Sequence, residues 1–362
     1  MKYPELIQFT DVAADLTRFD CIIDARSESE FAEDHLPGAI NCPVLNDEQR
    51  IQVGTMYKQV GSFEAKRLGA ALVAANIAHY LQTQFQDKPR EWRPLIYCWR
   101  GGNRSGSMAH IFSKIGWPVA QLQGGYKAYR QHVNEHLPTL AQRMQWHVIC
   151  GTTGSGKSRM LTALNKEGAQ ILDLEHLACH KGSVLGLTPG TQQPSQKQFE
   201  SQIWSALTQF DPSNTVYVEA ESKKVGNLRV PEQLMEAMRA APCTTLELDM
   251  PHRVSLLKEE YAHFQSQPER LIEQLGYLSQ LHGNHKINAW KQLVISEQLD
   301  ALVLSLLREH YDPAYLKSIN NNFKQFSAAQ TVHLQDLTPA SMTRTAREIL
   351  NPTQPSTSST MR

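Results

Sequence analysis

Short apolar runs bounded by polar turns alternate along the chain with longer stretches in which apolar residues recur every three or four positions. Residues 21–24, 94–97 and 119–122 read as short buried strands, whereas Phe63, Leu68, Leu72, Ala75, Ala78, Leu81 and Phe85 share one face of a helix over 62–85. Met108, Ile111, Phe112 and Ile115 continue the helical spacing after Ser105. Further strands are expected at 146–150, 170–174, 215–219 and 245–249. Such alternation predicts an α/β protein with parallel sheets covered on both faces. From about Pro251 the stripes Leu256, Leu257, Tyr261 and Phe264, then Leu271, Leu275, Leu278 and Leu281, then Leu299, Leu302, Leu306 and Leu307 predict a helical region whose apolar faces are core. The stretch 351–362 is polar and rich in Ser and Thr, and is expected to be disordered. The expected domains are 1–138, an α/β domain over 145–250, a helical C-terminal region over 251–350 packed on it, and the tail.

Composition narrows the class. A chain of 362 residues has room for two cores. Lys plus Arg equals Asp plus Glu at 36 each, so a nucleic-acid contact has to come from local patches rather than a global basic field. The six cysteines lie at 21, 42, 98, 150, 179 and 243 without a CxxC pair, which argues against a disulfide framework or a cysteine-rich zinc site and fits a reducing compartment. Neither a signal-peptide core nor a run of about 20 apolar residues is present, so the expectation is a cytoplasmic protein with no membrane segment.

Two loops carry candidate chemistry. The first, Tyr97-Cys98-Trp99-Arg100-Gly101-Gly102-Asn103-Arg104-Ser105, links a strand to a helix. Its glycines let amides curl toward one point, the helix start adds N–H donors and a positive dipole end, and Arg100 and Arg104 bring permanent charge. Each of these groups favours a thiolate at Cys98. The second, Gly151-Thr152-Thr153-Gly154-Ser155-Gly156-Lys157-Ser158, follows a strand and precedes a helix, and matches the phosphate-binding-loop pattern at every position. Its amides face phosphate oxygens, Lys157 reaches the outer phosphates and Ser158 is placed to hold Mg²⁺. Asp173, Glu175, Glu219 and Glu221 sit at or just past strand ends; Asp173, Glu219 and Glu221 are the candidates for acid–base or Mg²⁺ roles, with Glu219 favoured. His176, Cys179 and His180 have helical spacing without a fourth ligand, and no metal site is assigned. Lys223, Lys224 and Arg229 form the best basic cluster for RNA, extended by Arg253 and Lys258, and Trp99 is a candidate base-stacking partner.

The Cys98 loop resembles the active-site loop of rhodanese-type sulfurtransferases. Asp24-Ala25-Arg26, Glu30-Phe31, His35-Leu36-Pro37-Gly38 and Gln123-Gly124-Gly125-Tyr126 look like that family's flanking segments. Those enzymes usually run cysteine plus five residues; here Arg104 is cysteine plus six, as in the related phosphatases, which suits a tetrahedral, phosphate-sized anion. A rhodanese-like module followed by a P-loop domain resembles the tRNA 2-selenouridine synthases. Leu172-Asp173-Leu174-Glu175, His180-Lys181-Gly182-Ser183, Glu219-Ala220-Glu221-Ser222-Lys223-Lys224-Val225-Gly226 and Tyr311-Asp312-Pro313 look like that family's segments in that order.

The resemblance implies a transferase that replaces sulfur by selenium in 2-thiouridine at the wobble position of lysine, glutamate and glutamine tRNAs. Selenophosphate would be the donor, with an S-geranylated intermediate made from geranyl diphosphate. It further implies that Cys98 holds selenium as S-selanylcysteine, while Arg100, Arg104 and the loop amides neutralise the leaving phosphate. tRNA and a selenophosphate-producing enzyme are the implied partners. The P-loop reads a pyrophosphate, which ATP and geranyl diphosphate share; the prenyl diphosphate is favoured because selenophosphate arrives already activated. Two other readings stay open. One is a rhodanese- or phosphatase-type cysteine enzyme fused to an ATP-dependent kinase-like or regulatory module, against which the loop offers no evident acid for a leaving group. The other is a nucleotide-gated binding protein without chemistry at Cys98.

Overall fold

The computed structural model describes residues 3–183, 185–186 and 190–351. The tail expected to be disordered lies, from Pro352 onward, outside the described residues. The chain forms two compact units, Met1–Thr139 with Pro194–Thr208, and Leu140–Gln193 with Gln209–Arg362.

The first unit is built on strands β1 (Glu5–Ile7), β2 (Cys21–Asp24), β3 (Ala39–Asn41), β4 (Pro94–Tyr97) and β5 (Ala120–Leu122). They form one sheet in the order β1-β5-β4-β2-β3 with every pairing parallel. The central strand, β4, is buried along its whole length, as the uninterrupted apolar run Pro-Leu-Ile-Tyr requires. On one side Met108, Ala109 and Phe112 of the helix Asn103–Ile115 pack with Ile23, Ile96, Phe85, Trp92 and Trp117. Trp92 and Trp117 meet edge to face at 4.9 Å. The long helix spans Ser62–Thr83, and its Phe63 is 69% exposed rather than core, as is Ile115 at 53%. Both lie at a helix end, where the apolar stripe outlasts the layer that would cover it.

Residues 194–208, placed by their sequence position between strands of the P-loop domain, pack within the first unit as most of the helix Gln196–Gln209. Trp204 lies edge-on to Tyr129 at 5.8 Å, the Ser201 hydroxyl donates to Asp34 Oδ2 at 3.0 Å, and Arg130 pairs with Glu200. No local pattern announces this, because the partners are distant in sequence.

The second unit contains β6 (Gln145–Cys150), β7 (Gln170–Leu172), β8 (Thr215–Glu219), the short ribbon β9 (Lys224–Val225) and β10 (Leu228–Arg229), β11 (Cys243–Leu248) and β12 (Gln330–Leu334). Its main sheet runs β12-β11-β6-β8-β7, all parallel, while β9 and β10 pair antiparallel. β12 falls in the region expected to be wholly helical. It is an edge strand in which only Leu334 is buried, so Gln-Thr-Val-His-Leu lacks an apolar signal. The helices Lys157–Lys166 and Pro339–Leu350 close one core through Met160, Leu161, Leu164, Met342 and Ile349. A second core gathers Leu271, Leu275, Leu278, Trp290, Leu302 and Leu306 from the C-terminal helices. Leu281, expected in this stripe, is 72% exposed just before Gly283, whose φ of 73° breaks the helical path.

Candidate active sites: two strand-to-helix loops

Cys98 is the first residue beyond β4, and its side chain is nearly buried, at 3% exposure. The Ser105 hydroxyl lies 3.2 Å from Cys98 Sγ, where it can donate to the sulfur, and Gln121 Nε2 donates to Ser105 Oγ at 3.2 Å and to the Gly101 carbonyl at 2.8 Å. The amides of Trp99, Arg100, Gly101 and Gly102 reach no acceptor among the described residues. Cys98 thus lies between a strand end and a helix N-terminus in a loop with four open amides, an arrangement that favours an anion.

The Gly-Gly-Tyr segment props this loop from behind. Tyr126 N–H donates to the Cys98 carbonyl at 2.8 Å and Lys127 N–H to the Trp99 carbonyl at 3.0 Å. Gly125 has φ +56°, and a Cβ there would stand 2.1 Å from the Cys98 carbonyl oxygen. Trp99 stacks on Tyr126 with centroids 5.4 Å apart, and the Tyr126 hydroxyl donates to Asp34 Oδ2 at 2.8 Å. Below the ring lies Arg26, held in a buried pair with Asp24 at 2.7 Å.

The two arginines differ in their surroundings. Arg104 makes a two-pronged pair with Glu30, at 2.6 and 3.2 Å, and Arg50 approaches the same carboxylate at 3.8 Å. Burial pushes the Glu30 carboxyl up, but Arg104 beside it more than offsets this and holds it below its ordinary value. Arg100 is exposed and forms no ion pair among the described residues, so it is the cation available to an arriving anion. Gln121 carries no motif of its own and joins the Cys98 loop only through the fold, while the pairing of Glu30 with Arg104 and of the Ser105 hydroxyl with the sulfur is not written in their segments.

The P-loop leaves β6 and enters the helix Lys157–Lys166. Gly151 has φ +149°, and a Cβ would lie 2.3 Å from Ser155 Oγ, so the turn excludes a side chain. Gly151 N–H donates to the Tyr315 hydroxyl at 2.8 Å, and Lys157 Nζ folds back onto the Gly151 carbonyl at 2.8 Å. Arg253 donates to the Thr153 carbonyl at 2.7 and 2.9 Å and pairs with Asp312 at 2.6 Å. Arg253 is thus buried as a brace for the loop, which corrects its assignment to an RNA-facing basic cluster. Lys258, the other extension of that cluster, pairs with Asp300.

Carboxylates face the loop. Ser158 Oγ lies 3.4 Å from both Glu175 and Glu219, and ligand oxygens of Glu175, Glu219 and Glu221 lie within 4.8 Å of one another. Burial, then the neighbouring carboxylates, push Glu219 well above its ordinary value. Glu221 is pushed up to about 8 by burial and by Glu175, against the pull of Lys157. Asp173 accepts from His176 N–H at 2.8 Å as the cap of the short helix Leu174–Leu177; Glu175 occupies the place beside Ser158. A cavity of about 350 Å³ opens here, lined by Lys157, Ser158, Lys181, Tyr261 and Tyr315 among others. Lys223, Lys224 and Arg229 are exposed on or beside the β9–β10 ribbon. Among the described residues, no helix is long and apolar enough to cross a membrane.

Comparison with known proteins defines the class first. A rhodanese-like domain model matches residues 10–132, and the model described as the tRNA 2-selenouridine synthase AAA domain matches residues 144–291. The chain is 30% identical over 329 residues to the tRNA 2-selenouridine synthase of Aeromonas salmonicida, covering 83% of this chain and 87% of that one. It is 30% identical over 348 residues to that of a Sulfurovum species, covering 88% and 94%. Against that of Nitrosomonas europaea it is 33% identical over 265 residues, covering 72% and 68%. The chain belongs to the tRNA 2-selenouridine synthase family and is an enzyme of that family.

Proposed function

We propose that this enzyme exchanges sulfur for selenium in 2-thiouridine at the wobble position of lysine, glutamate and glutamine tRNAs. In this reading the P-loop holds geranyl diphosphate and the Cys98 loop receives selenophosphate. The observation that carries it is the Cys98 loop itself: a nearly buried thiol in a loop with four amides free of backbone acceptors and an exposed arginine. Alkylation of the thione sulfur releases diphosphate and turns a poor leaving group into one that departs as geranyl thiol. A selenium nucleophile then adds at the ring carbon and the thiol leaves.

At the P-loop, Lys157 and the loop amides bind the diphosphate, and Arg253 keeps Thr153 in place. Ser158, Glu175, Glu219 and Glu221 fit Mg²⁺, because their oxygens converge and Glu219 Oε1 is a buried acceptor without a hydrogen-bond partner. Bound there, the ion would neutralise diphosphate charge. Lys223, Lys224, Arg229 and Trp99 are the proposed tRNA contacts, and an enzyme that makes selenophosphate is the proposed donor partner.

Two bonds are open to Cys98. As a selenium carrier it forms S–Se while Se–P breaks; with phosphorus leaving as phosphate, this step requires a two-electron acceptor, and release of selenium requires a reductant. Attack on phosphorus instead forms S–P, breaks Se–P and frees selenide without redox change, after which water returns the thiol and phosphate. The Ser105 hydroxyl beside Sγ and the cysteine-plus-six spacing favour this second reading, since they suit a thiolate that must also leave. Incubation with selenophosphate, thiolated tRNA and geranyl diphosphate, followed by mass spectrometry of the nucleosides, tests the function. Selenouridine should form and should vanish with Cys98→Ala; unchanged formation with that variant refutes the role of Cys98. The isotope pattern on the trapped Cys98 peptide separates selenium from phosphorus.

A further inference from the structure

Beside the P-loop cavity the second unit holds a separate apolar slot. Away from that cavity its wall is Phe264, Leu271, Leu302, Leu306 and Leu307, drawn from three stretches of the C-terminal helical region, with Lys258 and Gln265 beside them. Its mouth is formed by Thr153, Ser183, Leu257, Tyr261 and Tyr311, and these five residues also line the cavity around Lys157 and Ser158. An anion held by the loop amides therefore has a mostly apolar route for a hydrocarbon tail, bordered by Lys258 and Gln265 as its polar exceptions. The edge of a nucleobase would find no donor or acceptor on Phe264, Leu271, Leu302, Leu306 and Leu307, and burying its polar atoms against them unpaired is costly. A hydrocarbon pays no such penalty and is driven in by the burial itself.

We infer that this slot is the binding site for the prenyl chain, and that Leu302 and Leu306 set the length accepted. The inference rests on the reading of the P-loop as a prenyl diphosphate site and adds to it the residues that recognise the hydrocarbon.

The test uses the full-length enzyme with thiolated tRNA and, in competition, dimethylallyl, geranyl and farnesyl diphosphates, with the S-prenylated nucleosides measured by mass spectrometry. Leu302→Trp should lower the ratio of ten- to five-carbon product about tenfold while five-carbon transfer persists. Leu306→Ala should raise the ratio of fifteen- to ten-carbon product by about the same factor. Product ratios are insensitive to how much enzyme is folded, and if Leu302→Trp yields no active protein the Leu306→Ala ratio decides. Ratios unchanged in the active variants overturn the inference. Lys157→Ala serves as the separate arm. If it loses transfer of all three chains while the slot variants leave the ratios alone, the diphosphate reading stands and the slot falls. If it retains transfer, the diphosphate reading falls, and the ratios still judge the slot.

Discussion

The Cys98 loop and the Gly151 loop are built on one backbone plan. Each leaves the central strand of a five-stranded parallel sheet, turns through glycines and ends at a helix N-terminus. An Asp–Arg pair lies beside each: Asp24–Arg26, buried under the Tyr126 ring, in the first unit, and Asp312–Arg253, which holds the Thr153 carbonyl, in the second. They differ at the residue that follows the strand. After β4 it is Cys98, whose sulfur meets the Ser105 hydroxyl; after β6 it is Gly151, which projects nothing. The second difference is charge. Arg104 is tied to one glutamate, whereas the P-loop faces three carboxylates that burial and mutual repulsion drive toward protonation. On the proposed reading, the same strand-to-helix plan would serve covalent chemistry where Cys98 occupies the exit position and anion binding where Gly151 does.

The largest effect should come from exchanging that nucleophile. Cys98→Ser should reduce selenium incorporation on the order of 10³-fold or more while geranylation of thiolated tRNA continues, as read by nucleoside mass spectrometry. Loss of both activities together would erase the proposed division between the loops. In the opposite direction, Lys157→Ala should reduce geranylation about 10²-fold and leave selenation of tRNA supplied already geranylated. Selenation that fails with the pre-geranylated substrate would assign the P-loop a second task.

Removing one partner of either Asp–Arg pair leaves a buried charge unpaired. Asp312→Ala and Asp24→Ala should each cost about 3–5 kcal/mol, visible as a lowered thermal transition. A transition unmoved in either variant would mean that its pair braces nothing.

The smallest effect is a difference in pH response. Glu221 has its pKa raised from 4.5 to about 8, so its contribution to stability is full below pH 4.5 and is lost as pH rises through about 8. Glu30 is held low by Arg104, so its contribution is present above its ordinary 4.5 and is lost on acidification. Each tenfold difference in proton affinity between the folded and unfolded states corresponds to about 1.4 kcal/mol. Glu221→Gln should therefore flatten the alkaline side of the stability profile, and Glu30→Gln the acid side, in thermal unfolding followed across pH. Profiles that shift on the same side in both variants would contradict the electrostatic contrast between the sites.

Both loops were legible in the sequence because their chemistry is written in consecutive residues. The eight positions from Gly151 to Ser158 and the run from Cys98 to Ser105 each specify a strand exit, a turn and a helix start locally. What was hidden depends on long-range pairing. Arg253 reaches Thr153 and Asp312 from distant parts of the chain, and its charge alone suggested an RNA contact. Glu175 was one of several strand-end acids until the fold set it beside Ser158. Ser105 looked like an ordinary polar residue of the loop, although the first turn of its helix aims its hydroxyl at the sulfur. The helical segment 194–208 and the edge strand β12 went unread for a related reason: their partners, rather than their own patterns, decide where they lie.

Gly125 carries no reactive group, yet a methyl group on it would collide with the backbone of Cys98, Arg100 and Gly101. Gly125→Ala should therefore displace the loop that presents the sulfur while every side chain of that loop stays the same. On the proposed reading the lesion would act through geometry alone, on a residue that a search for catalytic side chains passes over.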